Sequence, residues 1–133
     1  MPASGALTLS KEERLCSRTL IEKLFGGGGS RSIAAFPLRL VYMKTERHEG
    51  EPAVRMMISV PKKHFKRAVK RNRVKRQVRE AFRLNKSVLL TKLQERQDTA
   101  LALAFIWLDD ELRASDEVES KVLNLLHRVA EKI

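Results

Sequence analysis

AVKRNRVKRQVREAFR, residues 68–83, is the stretch on which the reading of this chain turns. At about 100° per residue, Val74, Val78, Ala81 and Phe82 share one arc, and Asn72, Lys75, Arg76, Arg79 and Arg83 fill the flank beside it. The pattern predicts an amphipathic helix whose apolar seam fixes it to a core while its basic flank stays outside. The wider stretch 62–86 holds twelve of the chain's 27 Lys and Arg residues and one acid, Glu80. Its charge equals the +11 of all 133 residues, so the remainder sums to zero. Cations crowded on one helical flank repel one another, and folding alone gains nothing from them. A concentrated basic segment in an otherwise neutral chain is the footprint of a polyanion binder. The Arg fork suits bidentate phosphate contacts and stacking on bases.

Working outward, Pro61 ends a strand that runs from Val54 to Val60, with Val54, Met56, Ile58 and Val60 on one side and Arg55, Met57 and Ser59 on the other. Leu38–Met43 alternates in the same way, placing Arg39 opposite Leu38, Leu40 and Tyr42. Ser32–Phe36 is a weaker strand, and Lys44–Pro52 reads as the turn of a hairpin. Each of the two stronger strands thus has one apolar face and one that carries an Arg. Ala100–Leu108 is almost continuously apolar and suits a central strand covered on both sides. Ser115 or Asp116 should cap a last helix with Val118, Val122, Leu125, Leu126 and Val129 as its stripe. At the other end, Ser10 and Glu13 have capping-box spacing and predict a helix from about residue 10 to Phe25. Its face is built from Cys16, Leu20, Ile21, Leu24 and Phe25. Gly26–Gly29 stops that helix; a phosphate-cradling loop is the alternative, without the Lys-Ser/Thr of a P-loop. The order is α-β-β-β-α-β-α in one α+β domain spanning 1–133, with residues 1–8 expected to be disordered.

With 43% hydrophobic and 32% charged residues, the chain reads as a globular fold with a heavily solvated surface. Cys16 is alone, which excludes an intrachain disulfide and a Cys-based metal site. The start MPASGALTLS lacks the marks of a signal peptide, and the longest apolar run is too short to span a bilayer. A cytoplasmic protein without membrane association is expected. No helix-turn-helix pair, zinc spacing or heptad surrounds the basic helix, so recognition of a folded RNA by shape and phosphate fits better than DNA.

The residues also carry a family resemblance. Ser59-Val60-Pro61-Lys62-Lys63, then Ala68-Val69-Lys70-Arg71-Asn72-Arg73-Val74-Lys75-Arg76, then Arg79-Glu80-Ala81-Phe82 resemble the protein subunit of bacterial ribonuclease P. Looser colinear similarity covers roughly residues 9–130. The resemblance implies an α/β sandwich with a four-stranded mixed sheet and a left-handed β-α-β crossover. It implies a division of labour in which an RNA subunit cleaves precursor tRNA with bound Mg²⁺ and the protein aids substrate binding. Lys62, Lys63, Lys70, Arg71, Asn72, Arg73, Lys75, Arg76 and Arg79 would face the ribonuclease P RNA. Ile21, Phe25, Arg39 and Arg55 would line a cleft for the single-stranded 5′ leader. Some members put two aromatics four apart on the first helix; Ile21 replaces one here, so a base stacks on Phe25 and only packs against Ile21.

A catalytic centre in the protein itself is not expected. His48, His64 and His127 are scattered, and no His-x-x-x-His or paired His/carboxylate motif occurs. His64 reads either as a base or phosphate contact or as an incidental surface residue. Asp109-Asp110-Glu111 reads as an acidic turn at a strand end, with Mg²⁺ binding as the alternative. Trp107, Phe105 and Tyr42 are expected in the core. The competing functional class is an RNA-binding or ribosome-associated protein with no processing role.

Overall fold

Nine residues without a charge, Thr99–Trp107, form the strand around which everything else is laid. The computed structural model describes residues 13–15, 17–26 and 28–133. Its elements are α1 (Arg18–Phe25), β1 (Arg31–Ala35), β2 (Leu38–Glu46), β3 (Val54–Ser59), α2 (Ala68–Asn85), α3 (Ser87–Leu93), β4 (Thr99–Trp107) and α4 (Ser115–Ala130). The sheet order is β1-β2-β4-β3. β2 pairs antiparallel with both β1 and β4, whereas β3 runs parallel to β4, with Val54 opposite Leu101 and Ser59 opposite Ile106. The parallel pair is joined by a β-α-β crossover through α2 and α3, which makes the sheet mixed.

The period-2 patterns set the layers. Leu38, Leu40 and Tyr42 of β2, Val54 and Met56 of β3, and Leu101, Leu103, Phe105 and Trp107 of β4 point one way, into a core completed by α2, α3 and α4. Val41, Met43, Ala102 and Ala104 point the other way and are covered by Leu15 and Leu24, with Leu20 and Ile21 packed alongside. Small alanines on that side of β4 leave room for α1 to approach. β4 is covered on both faces, and Trp107, Phe105 and Tyr42 are all core residues. The Phe82 and Phe105 rings meet edge to face at 6.2 Å, a favoured aromatic geometry.

The hairpin expected at Lys44–Pro52 does not form, because β4 lies between β2 and β3 in the sheet, and three further local readings change. The first helix starts at Arg18, capped by the Ser17 hydroxyl, which accepts from the Leu20 N–H at 3.4 Å. Arg14 and Leu15 before it lie along β3: Arg14 bridges to Met56, and the Leu15 N–H donates to the Met56 carbonyl at 2.8 Å. Arg14 and Leu15 thus pair with the β3 edge instead of continuing the helix, and the Glu13 carboxylate holds Lys86. Ser10, Cys16 and the lead-in 1–8 lie outside the described residues. Second, α3 is an additional short helix, one that Leu89 and Leu93 pin to the core. Third, α4 is preceded by Ala114 without a side-chain cap. The Ser115 hydroxyl instead accepts from Gln77 of α2 at 3.1 Å. Gly26 ends α1, its N–H bonded to the Glu22 carbonyl, and an added Cβ would sit 2.9 Å from that oxygen. The terminator reading of the glycine run is the one that the geometry supports.

Candidate nucleic-acid interface

Val74, Val78 and Phe82 are fully buried, so α2 is bolted to the sheet through its seam. Gln77 adds a polar rivet: its amide donates to the Arg113 carbonyl at 2.9 Å. Lys70, Asn72, Arg73, Arg76 and Arg79 are exposed on the outer side, and Lys75 is half-buried at its edge. None of these six side chains has a hydrogen bond or ion pair to another described residue. Val69 is 79% exposed among them. The first turn of α2 holds no acid, and its N-cap, Arg67, makes no side-chain hydrogen bond. The positive end of the helix dipole therefore meets more cations, which is unfavourable unless an anion arrives.

The loop before α2 presents Lys62 and Lys63, both exposed. Arg71 is what holds this loop. Its guanidinium donates to the Phe65 carbonyl at 2.7 Å and the Lys66 carbonyl at 2.9 Å, and Phe65 is buried. Arg71 thus has a structural task that the sequence did not disclose. Arg83 is also engaged, by Glu80 one turn before it. That hydrogen bond holds the Glu80 carboxyl below the usual range. Lys86, counted with the basic segment, is 2% exposed and faces inward; both Glu13 oxygens lie 2.9 Å from its Nζ.

Ile21, Phe25, Arg39 and Arg55 all lie on the face of the sheet that carries α1. Strand register sets this: Arg39 is opposite Ile106 and Arg55 opposite Ala102. Phe25 is 47% exposed, beside the open glycines Gly28 and Gly29, while Ile21 packs into the small apolar cluster beneath α1. Arg39 is exposed and donates to the Ser32 hydroxyl at 2.7 Å. Arg55 is half-buried and pairs with Glu51 at 3.2 Å. The four side chains share a face, but no described contact joins them into one cluster.

His64, Asp109 and Asp110 are engaged inside the protein. His64 Nδ1 lies 2.6 Å from Asp110 Oδ1, tying the loop before α2 to the turn after β4. Asp109 accepts from Arg113 at 2.8 and 2.9 Å, and that guanidinium holds its carboxyl below the ordinary value. Arg113 also pairs with Glu117 and lies 5.2 Å over the Phe36 ring. Among the described residues no group of three or more His, Cys, Asp or Glu could hold a metal ion. None of the described helices is long and apolar enough to cross a membrane.

A fully buried seam backed by an exposed row of unpaired cations, on a helix inside a β-α-β crossover, is a specific arrangement. A family model described as Ribonuclease P matches residues 9–129. The chain belongs to the ribonuclease P protein family. The ribonuclease P protein component of Porphyromonas gingivalis is 45% identical over 130 residues, which cover 98% of this chain and 92% of that one. That of Chlorobium phaeobacteroides is 40% identical over 90 residues, 66% of this chain and 60% of the relative. Among solved structures, the RNase P protein from Thermotoga maritima superposes with a TM-score of 0.64 at 28% identity, covering 87% of this chain and 96% of that one. The Staphylococcus aureus RNase P protein, 19% identical with a TM-score of 0.60, shares the fold.

Proposed function

We propose that this protein component of ribonuclease P seats the catalytic RNA on the outer side of α2 and receives the 5′ leader of precursor tRNA on the α1 face of the sheet. The observation that carries the reading is the row of unpaired, exposed cations on a helix whose opposite side is fully buried. Such a row is a rigid surface, so phosphate contacts form without ordering a flexible tail. Lys62, Lys63, Lys70, Asn72, Arg73, Arg76 and Arg79 contact RNA directly. Arg71 acts mainly by holding the loop that carries Lys62 and Lys63. Lys75 belongs to the same surface at its inner edge.

Cleavage of the leader is assigned to the RNA subunit. The protein offers no described carboxylate cluster for Mg²⁺: Asp109 is held by Arg113 and Asp110 by His64. The described residues do not fit a protein-borne metal, and Mg²⁺ is assigned to the RNA. The protein's own contribution is to bind, orient and neutralise phosphates, consistent with a location in the cytoplasm.

Two equilibrium titrations test this reading. Bacterial ribonuclease P RNA is expected to bind more tightly than a size-matched structured RNA, with a salt dependence set by the phosphates engaged. Equal affinity for both RNAs would favour a general RNA-binding role. Phe25→Ala is expected to weaken holoenzyme binding of leader-bearing precursor tRNA roughly tenfold, since one base stacked on an aromatic is worth about 1–3 kcal/mol. Leaderless tRNA should bind almost unchanged. An equal loss for both ligands, with a lowered melting temperature, would make Phe25 a packing residue instead.

A further inference from the structure

Arg14 lies outside every motif the sequence offers, yet it is one of the most deliberately held residues of the fold. On one side of it, the carboxylate of Glu13, itself nearly buried, meets the buried Lys86 ammonium with both oxygens at 2.9 Å. On the other side, Leu15 is buried and its N–H donates to the Met56 carbonyl. The segment is held at both neighbours, by Lys86 on one side and by the free edge of β3 on the other, and Arg14 between them is exposed. It lines a cleft of about 210 Å³ whose other charged walls are Lys75 and Arg79 of α2, with Leu15 and the Met56–Ile58 strand as an apolar floor. At about 30 Å³ per water, that cleft has room for a phosphate group.

Three cations therefore face one cleft, and none has a hydrogen bond or ion pair to another described residue. Fixing a third positive charge beside two others costs electrostatic energy in the free protein. An apolar floor strengthens any charge-assisted hydrogen bond made above it. Two Arg forks and a Lys suit the non-bridging oxygens of a phosphodiester, each fork donating in parallel pairs.

We infer that Arg14, Lys75 and Arg79 form a single phosphate-binding site, in which the segment before α1 extends the RNA surface of α2 across the β3 edge. The inference rests on α2 being the RNA-binding element. Its ligand is one backbone phosphate, of the catalytic RNA or of the precursor's leader.

The test compares full-length wild type with Arg14→Ala, Arg79→Ala, the double variant, and Arg18→Ala as a charge control. Arg18 is exposed on α1 and pairs only loosely with Glu22, at 3.8 Å. Affinity is measured over a salt series for ribonuclease P RNA alone and, in reconstituted holoenzyme, for precursor tRNA with and without a leader. Arg14→Ala is expected to lose roughly tenfold in affinity and about 0.7–0.9 in salt slope, with an unchanged melting temperature. The double variant should lose less than the product of the two singles, because both side chains share one phosphate. A loss with ribonuclease P RNA assigns the phosphate to the catalytic RNA; a loss seen only with leader-bearing precursor assigns it to the leader. Arg14→Lys should retain the salt slope while losing part of the affinity. If Arg79→Ala weakens RNA binding but Arg14→Ala matches Arg18→Ala, or the two losses simply multiply, the shared site is refuted and the role of α2 stands. If Arg79→Ala has no effect on any of these RNAs, the role of α2 falls as well.

Discussion

Val78→Asp is expected to abolish the cooperative melt of the protein, and RNA binding with it. Val78 has no exposed surface and sits mid-seam between Val74 and Phe82, packed in the cluster that joins α2 to the sheet and α4. The substitution removes a buried apolar side chain, worth about 1.5–3 kcal/mol. It also places a carboxylate inside an apolar cluster, at a cost of several kcal/mol. Against a typical total stability of about 5–15 kcal/mol, the sum is large enough to unfold the chain. Circular dichroism decides the matter: a native spectrum and a sharp melt would mean that Val78 is not in the seam.

The opposite signature is expected for Arg73, Arg76 and Arg79 changed together to Ala. All three are exposed and none is engaged within the described protein, so the melting temperature should stay near that of the wild type. Binding to ribonuclease P RNA should fall steeply at physiological salt. Removing one phosphate-binding cation flattens the plot of log affinity against log salt by about 0.7–0.9, so the triple variant should flatten it by roughly 2–3. Arg71 is left out of the set deliberately. Its bonds to the Phe65 and Lys66 carbonyls mean that Arg71→Ala would also loosen the loop, mixing a structural loss with an electrostatic one. An unchanged salt slope with a large fall in melting temperature would make the three arginines structural.

Much of the fold was legible because local and global signals coincide. Along α2 the 3.6-residue period separates Val74, Val78 and Phe82 from the cations, and burial follows that division residue by residue. The alternations at Leu38–Tyr42 and Val54–Met56 assigned faces correctly, because a one-residue slip would have turned each apolar set away from the main core. What was not legible depended on distant partners. Nothing in Glu13 announces Lys86, 73 residues away, or reveals that Lys86 turns inward while its basic neighbours face out. Arg14 and Leu15 follow a Ser-x-x-Glu pattern that favours a helix, but the free edge of β3 offers backbone partners that the pattern cannot anticipate. Ser87–Leu93 is too short for a period to emerge and is helical because Leu89 and Leu93 have a core to enter. On the α1 face of the sheet, proposed for the leader, the sequence supplied the residues but not their spacing: Phe25, Arg39 and Arg55 share a face, while Arg39 and Arg55 are held by Ser32 and Glu51.

The central claim of the proposed function is that this protein enables cleavage by an RNA and does not cleave by itself, and reconstitution tests it most directly. Purified, RNA-free protein, bacterial ribonuclease P RNA and the two together are each incubated with precursor tRNA at low Mg²⁺, and the 5′ ends are mapped. The account predicts no cleavage by the protein alone, little by the RNA alone, and accurate mature 5′ ends when both are present. Specific 5′ maturation by the protein without any RNA subunit, or no gain over the RNA when the protein is added, would contradict it.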